Sequence, residues 1–130
     1  MIEKIISGGQ TGADQAALDA AIELGIPHGG WIPKDRITED GPLPSTYDLI
    51  EMPTESYPAR TKKNILESDG TLIFSHGKLT GGSAYTRKIA YENNKPYLHI
   101  DFEQIGAFMA SSVISDWLNE NDIKIMNVAG

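Results

Sequence analysis

The residues best suited to chemistry lie in one glycine-rich segment, Ser7-Gly8-Gly9-Gln10-Thr11-Gly12-Ala13-Asp14. It follows the apolar pair Ile5-Ile6 and leads into an alanine-rich stretch, so a buried strand, a turn and a helix are expected in succession. The first N–H groups of a helix have no partner within it, and glycines let a ligand approach them closely. The segment therefore predicts an anion site, with Gly8, Gly9, Gln10, Thr11 and Gly12 as candidate ligand-binding residues.

Of two known phosphate-binding patterns, one matches this segment in part and the other does not match it. Gly9 and Gly12 stand at the second and third glycine positions of the dinucleotide fingerprint, but Ser7 occupies the first. The phosphate-loop pattern fails because no lysine follows the glycines. A tight turn that only joins the strand to the helix is the alternative interpretation.

A second glycine turn, His76–Gly82, follows the apolar stretch Thr71-Leu72-Ile73-Phe74 and precedes another helical pattern. It offers backbone N–H groups, two hydroxyl groups and a histidine at the carboxyl end of a strand. The candidate ligand-binding residues of this second turn are His76, Thr80, Gly81, Gly82 and Ser83.

Three further polar side chains are candidates for the same site. Arg60 can supply charge-assisted hydrogen bonds to a phosphate or another oxyanion, and Asn64 lies one helical turn further along the same face. The alternative for Arg60 is a surface ion pair with a nearby glutamate. Asp14 is the one candidate acid–base group, although Thr11 and Asp14 also resemble a helix capping box, in which Asp14 only stabilises the helix.

Composition narrows the classes of function. The 130 residues carry a formal net charge of -7, which argues against general nucleic-acid binding but allows a local anion site. Cysteine is absent, and His28, His76 and His99 are not at metal-ligand spacing, so no metal site is expected. With neither a signal peptide nor a membrane-spanning run in the sequence, a cytoplasmic protein without membrane contact is expected.

Apolar periodicity and turn residues predict five strands and four helices in a single domain, residues 1–130. The strands are expected at residues 3–7, 27–31, 70–75, 96–101 and 123–128, and the helices at 12–24, 58–68, 83–93 and 103–119. This alternation predicts an α/β, Rossmann-like three-layer sandwich with a five-stranded parallel sheet of order 2-1-3-4-5. In that order both glycine turns follow adjacent strands and share the crevice at the switch point.

The stretch from Ile32 to Tyr57 is rich in proline and acidic residues and has no clear periodicity. Long irregular segments of this kind are usually functional or mobile, and a solvated crossover connection is the alternative. Whether it closes over a site as a lid is left open by the sequence.

Taken together, these motifs resemble the molybdenum cofactor carrier family, placed in the Rossmann-like superfamily that contains DprA and the Lonely Guy phosphoribohydrolases. The resemblance covers nearly the whole chain, and it rests on the combination of motifs rather than on any one. It implies a Rossmann-like fold, a phosphate-bearing ligand such as the molybdenum cofactor (molybdopterin) or a nucleotide-like molecule, and Lys34 as a further site residue. The matching stretches are Ile6–Asp14, His28–Lys34, Glu39–Gly41, Arg60-Thr61, Asn64, Ser68–Thr71 and Leu79–Ser83.

The chain departs from this pattern at three places. Ile32 stands where the family often has a cysteine, so no thiol is available to a metal. Lys88 stands where Lonely Guy enzymes carry a catalytic glutamate, which argues against the same hydrolysis. The family usually continues past Asn127–Gly130 into another turn and helix, which leaves open whether one side of the site is truncated here.

Two functional hypotheses follow from these observations. The first is a cytoplasmic carrier that holds a phosphate-bearing small molecule between the two glycine turns. The second is a nucleotide-processing enzyme related to the Lonely Guy phosphoribohydrolases, with Asp14 as its acid–base group. The oligomeric state is left open, and a homo-oligomer is compatible with the sequence.

Overall fold

The computed structural model describes residues 1–130 and shows an α/β architecture built on a five-stranded parallel sheet. The strands of this sheet are β1 (Lys4–Ser7), β2 (His28–Gly29), β3 (Gly70–Ser75), β4 (Tyr97–Asp101) and β5 (Ile125–Ala129). The helices are α1 (Ala13–Leu24), α2 (Tyr57–Leu66), α3 (Gly81–Glu92) and α4 (Ala107–Glu120). The predicted fold class, a Rossmann-like three-layer sandwich, is confirmed. None of the helices combines the length and the apolar character that crossing a membrane requires.

The order of the strands is β2-β1-β5-β3-β4, so the predicted order 2-1-3-4-5 is wrong in the placement of the last strand. β5 pairs with β1 on one side, with Ile5 opposite Met126, and with β3 on the other, with Thr71 opposite Asn127. The physical reason is burial, because Met126, Asn127 and Val128 are all buried, as a central strand requires and an edge strand does not.

If β5 is counted as the first strand and the others are renumbered after it, the order reads 3-2-1-4-5. This is the strand order of a doubly wound dinucleotide-binding sheet. The glycine turns after β1 and β3 are therefore not on adjacent strands. One strand separates them, which places them about 10 Å apart. The end of β5, with Ala129 and Gly130, lies between the two turns.

The helices cover both faces of the sheet. On one face the core joins Ala21 of α1 and Trp117 of α4 to Leu72 and Ile100 of the strands. On the other face Ile65 of α2 packs against α3. The apolar periodicity of the last helix predicts that Phe108 and Met109 point inward, but this is wrong, since they are 92% and 57% exposed.

The segment between β2 and α2 is packed rather than solvated. Leu43 and Leu49 lie with Ile32 and Leu18 in a small buried core beside α1. The Arg36 side chain ties the segment together by donating hydrogen bonds to main-chain oxygens of Leu43, Pro44, Leu49 and Tyr47. Short strands Trp31–Ile32 and Ile50–Glu51 pair in parallel, and Ile37–Thr38 pairs with Gly41–Pro42 in antiparallel.

Candidate functional site

A polar cavity of about 660 Å³ opens at the carboxyl edge of the sheet, between the first glycine turn, α2 and the start of α3. Ligand pockets in proteins commonly fall between about 300 and 1,000 Å³. Among the residues expected from the sequence, those that line this cavity are Gln10, Thr11, Asp14, Arg60, Thr80, Gly81, Gly82 and Ser83. Residues from three separate segments therefore meet around one space, as the ligand-binding hypothesis requires.

Arg60 on α2 provides the positive charge of this cavity. Its side chain is only 12% exposed, and its Nη1 lies 3.7 Å from Oδ2 of Asp14. The buried Nε has no hydrogen-bond partner, and burial lowers the pKa of the guanidinium. Because Arg60 lines the cavity, its guanidinium is suited to charge-assisted hydrogen bonds with an anionic ligand.

Gly8 makes room for this arginine. A Cβ atom at Gly8 would overlap the Arg60 guanidinium, so only glycine lets the side chain lie against the turn. Gln10 packs nearby and donates hydrogen bonds to the main-chain oxygens of Gly8 and Ile37, while its Oε1 stays buried without a partner. These two hydrogen bonds fix the Gln10 side chain against the turn and the segment after β2.

Asp14 is buried at the start of α1, where the N–H of Gln10 donates to its Oδ2 at 3.2 Å. Burial raises the pKa of Asp14 to about 6, although the Arg60 charge and the backbone hydrogen bonds oppose this rise. The capping box expected between Thr11 and Asp14 does not form, because the Thr11 hydroxyl donates to Glu39 instead. Asp14 is a buried carboxyl group that titrates close to neutral pH, beside the cavity's arginine.

The N-terminus of α3 carries the partial positive charge of the helix dipole, and no side chain of the protein compensates it. Gly81 and Gly82 occupy its first positions, so their N–H groups have no acceptor within the helix. The Thr80 side chain makes no capping hydrogen bond, and the first turn contains no acidic residue. At α1, by contrast, Asp14 already supplies a negative charge. An anion is therefore favoured between Arg60 and α3 rather than at the first turn.

The other predicted residues lie outside this cavity or serve the fold. Asn64 is buried, and its amide group accepts from the Trp31 N–H and donates to the Trp31 oxygen, which anchors the segment after β2. Lys34 is exposed in a short 3-10 turn, Lys34–Arg36, away from the cavity. Gly9 has φ +72° and packs beneath Leu49 and other core side chains, so its glycine is required by the turn itself.

Gly12 and His76 line a different cavity, of about 870 Å³, that lies between α1 and α4 over the sheet. This second cavity is mainly apolar: 12 of its 19 lining residues are hydrophobic, including alanines of α1. His76 packs against the Phe102 ring, with 5.5 Å between ring centroids. Although this cavity is larger, it brings no buried charge to a ligand, and the polar cavity is the better candidate for the anion site.

Several lining residues were not expected from the sequence, namely Glu39, Tyr57, Pro58, Thr61, Tyr85, Thr86, Ala129 and Gly130. Tyr57 precedes Arg60 by three residues on α2, and the arginine lies 5.8 Å from its ring centre. That helical spacing is a local signal that was available in the sequence. Glu39 and Gly130 lie in stretches that the family resemblance points to, but their proximity to the cavity depends on the packed segment and on the central position of β5.

A serine–histidine pair that was not expected from the sequence joins Ser75, the last residue of β3, to His99 in the middle of β4. Ser75 Oγ is 2.6 Å from His99 Nε2 and 2.6 Å from the oxygen of Gly77. A carbonyl oxygen only accepts, so the serine proton is directed to Gly77 and the histidine donates to Ser75. This pair ties the turn to the sheet, and it is not arranged as a base-activated nucleophile. No group of three or more His, Cys, Asp or Glu residues is placed to hold a metal ion.

The sheet order, the glycine turn before α1 and the cavity at the carboxyl edge define a Rossmann-like α/β protein whose first sheet strand has been moved to the end. Residues 5–130 match the circularly permutated YpsA SLOG family, and the chain belongs to that family. The permutation in the family's description corresponds to the position of β5 in the chain.

A crystal structure of a protein from Syntrophus aciditrophicus SB, named Putative molybdenum carrier protein, is closely similar. The two chains are 56% identical, and their structures superpose with a TM-score of 0.98 over 99% of this chain and 82% of the other. No curated protein matches the chain.

Proposed function

We propose that the protein is a cytoplasmic carrier that binds a phosphate-bearing small molecule in the polar cavity, with its phosphate between Arg60 and the start of α3. The observation that carries this proposal is that Arg60 lines the cavity together with the uncapped N-terminus of α3. In a chain with a net charge of -7, such an arginine beside an uncompensated helix start selects an anion locally. The name of the Syntrophus relative supports a carrier role.

The residues of the cavity fit a molybdenum cofactor as ligand. Its phosphate group suits Arg60 and the N–H groups of Gly81 and Gly82, and its pterin N–H groups suit an acceptor of the lining such as the exposed Glu39 carboxylate. No cysteine is present to bind the metal, so any molybdenum would be held by the ligand's own donor atoms. A nucleotide offers the same combination of phosphate and ring donors and is the other ligand we propose.

The second candidate function is nucleotide processing with Asp14 as the acid–base group. A carboxyl group with a pKa of about 6 inside the cavity is the observation that favours it. Against it, the position at which the Lonely Guy enzymes carry their catalytic glutamate is Lys88, which is exposed on α3 and does not line the cavity. Incubation with nucleoside monophosphates distinguishes the two functions, because a carrier returns them intact whereas the enzyme releases free base.

The direct test of the carrier function is mass spectrometry of small molecules released from the freshly purified protein. The expected result is a stoichiometric phosphate-bearing compound. Retention of a compound without any anionic group would contradict the proposal.

Arg60→Ala is expected to weaken binding of a phosphate-bearing ligand by about 1.5–3 kcal/mol, the usual range for hydrogen bonds to charged groups. Lys62→Ala is the matched control, since Lys62 is an exposed cation on the same helix and does not line the cavity. Titration calorimetry with inorganic sulfate as the probe measures both variants. Equal affinities for Arg60→Ala and Lys62→Ala would remove the arginine from the site.

A further inference from the structure

In the polar cavity the Asp14 carboxylate already occupies the arginine that an incoming anion would also need. The Asp14 carboxylate is 6% exposed and lies 3.7 Å from the Arg60 guanidinium, the group that an incoming anion would also contact. The carboxylate oxygen and a bound anion would then both lie against the same guanidinium, and the Asp14 side chain itself is almost completely buried. Two negative charges that share one guanidinium repel each other, so the ionised Asp14 carboxylate opposes binding of the anion.

We propose that an anion enters this cavity together with one proton, which the Asp14 carboxylate takes up. This inference rests on the proposed function, because it assigns a proton linkage to the same site. The proton removes the charge that repels the anion and frees Arg60 to donate its hydrogen bonds to the ligand. Asp14 is a positioning residue here, since it acts through Arg60.

The surroundings of Asp14 support proton uptake at this residue. Burial already raises the pKa of its carboxyl group to about 6, and a further negative charge nearby would raise that pKa again. The charged groups that face it are Arg60 from α2 and Glu39 from the packed segment, and α3 adds no acidic residue in its first turn. Glu39 is exposed and holds the Thr11 hydroxyl, so its charge is screened by solvent.

Sulfate is the appropriate probe, because its own charge stays constant across the range in which Asp14 titrates. For the wild-type protein we expect sulfate affinity to fall about tenfold between about pH 5 and about pH 8. Calorimetry near neutral pH, repeated in buffers with different ionisation enthalpies, is expected to show net proton uptake on binding. In Asp14→Asn the affinity should be independent of pH, and proton uptake should vanish.

Asp19→Asn is the matched control, since Asp19 is an exposed aspartate on the same helix, and it should retain the wild-type pH dependence. His76→Gln, which removes the histidine of the neighbouring cavity, should retain it as well. The wild-type proton uptake can be measured without any variant, so the test does not depend on the folding of Asp14→Asn.

The results of these experiments distinguish the proton linkage from the anion site on which it rests. Sulfate binding without proton uptake, or unchanged pH dependence in a folded Asp14→Asn, would overturn the proton linkage and leave the anion site standing. Failure of sulfate to bind the wild-type protein at any pH would overturn the anion site and the linkage with it.

Discussion

Gly82→Asp is expected to abolish binding of a phosphate-bearing ligand, with a loss of at least about a hundredfold in affinity. The new carboxylate would lie at the start of α3, where it would accept the helix N–H groups that the ligand's phosphate needs. It would also place a negative charge in the same cavity as Arg60. Titration with sulfate and with a nucleoside monophosphate measures the loss.

The fold should tolerate this change. A Cβ atom at Gly82 meets no other atom within 4 Å, and an acidic residue in the first turn of a helix is favourable. Gly82→Ala is the matched control, because it adds the Cβ without the charge and should bind as the wild type does. If Gly82→Asp folds and binds with wild-type affinity, the start of α3 is not part of the ligand site.

Asp14→Asn is expected to change how stability depends on pH. The Asp14 carboxyl group has a pKa of 3.8 in its unperturbed state and about 6 in the fold, so the folded chain binds more protons between these values. The stabilisation by the proton is complete below about pH 4 and is lost as the pH rises through 6. Relative to Asp14→Asn, the wild-type protein should therefore lose about 2.5 kcal/mol of unfolding free energy between about pH 4 and about pH 7.

Urea unfolding at a series of pH values measures this difference. Because the comparison uses the change with pH, a constant offset from leaving Arg60 without its partner does not affect it. Asp19→Asn should follow the wild-type curve, since that aspartate is exposed on the same helix. Parallel curves for wild type and Asp14→Asn would show that Asp14 titrates in the fold as it does in the unfolded chain.

Most elements of the fold could be predicted because their signals are local. Apolar strands, glycine turns and helix stops lie within a few residues of one another, and the fold class follows from their alternation. The position of β5 could not be obtained in this way. Its burial between β1 and β3 depends on pairing with residues far away in the chain, such as Ile5 with Met126. The usual adjacency of consecutive strands therefore predicts the wrong neighbour.

In the candidate site, too, features with a local sequence signal could be predicted, whereas contacts between distant residues could not. Arg60 and the two glycine turns could be selected from residue type and spacing, and the structure brings parts of all three to one cavity. The role of Asn64 could not be foreseen, because its partner is the backbone of Trp31, 33 residues earlier. The hydrogen bond between Thr11 and Glu39 could not be foreseen either, because it depends on how the irregular segment packs.

The central claim is that the polar cavity binds the anionic group of a ligand between Arg60 and the start of α3. Anomalous diffraction from crystals soaked in selenate, a sulfate analogue, tests this claim most directly. One anomalous peak is expected within hydrogen-bond distance of the Arg60 guanidinium and of the N–H groups of Gly81 or Gly82. A fully occupied selenate elsewhere on the protein, with none in this cavity, would contradict it.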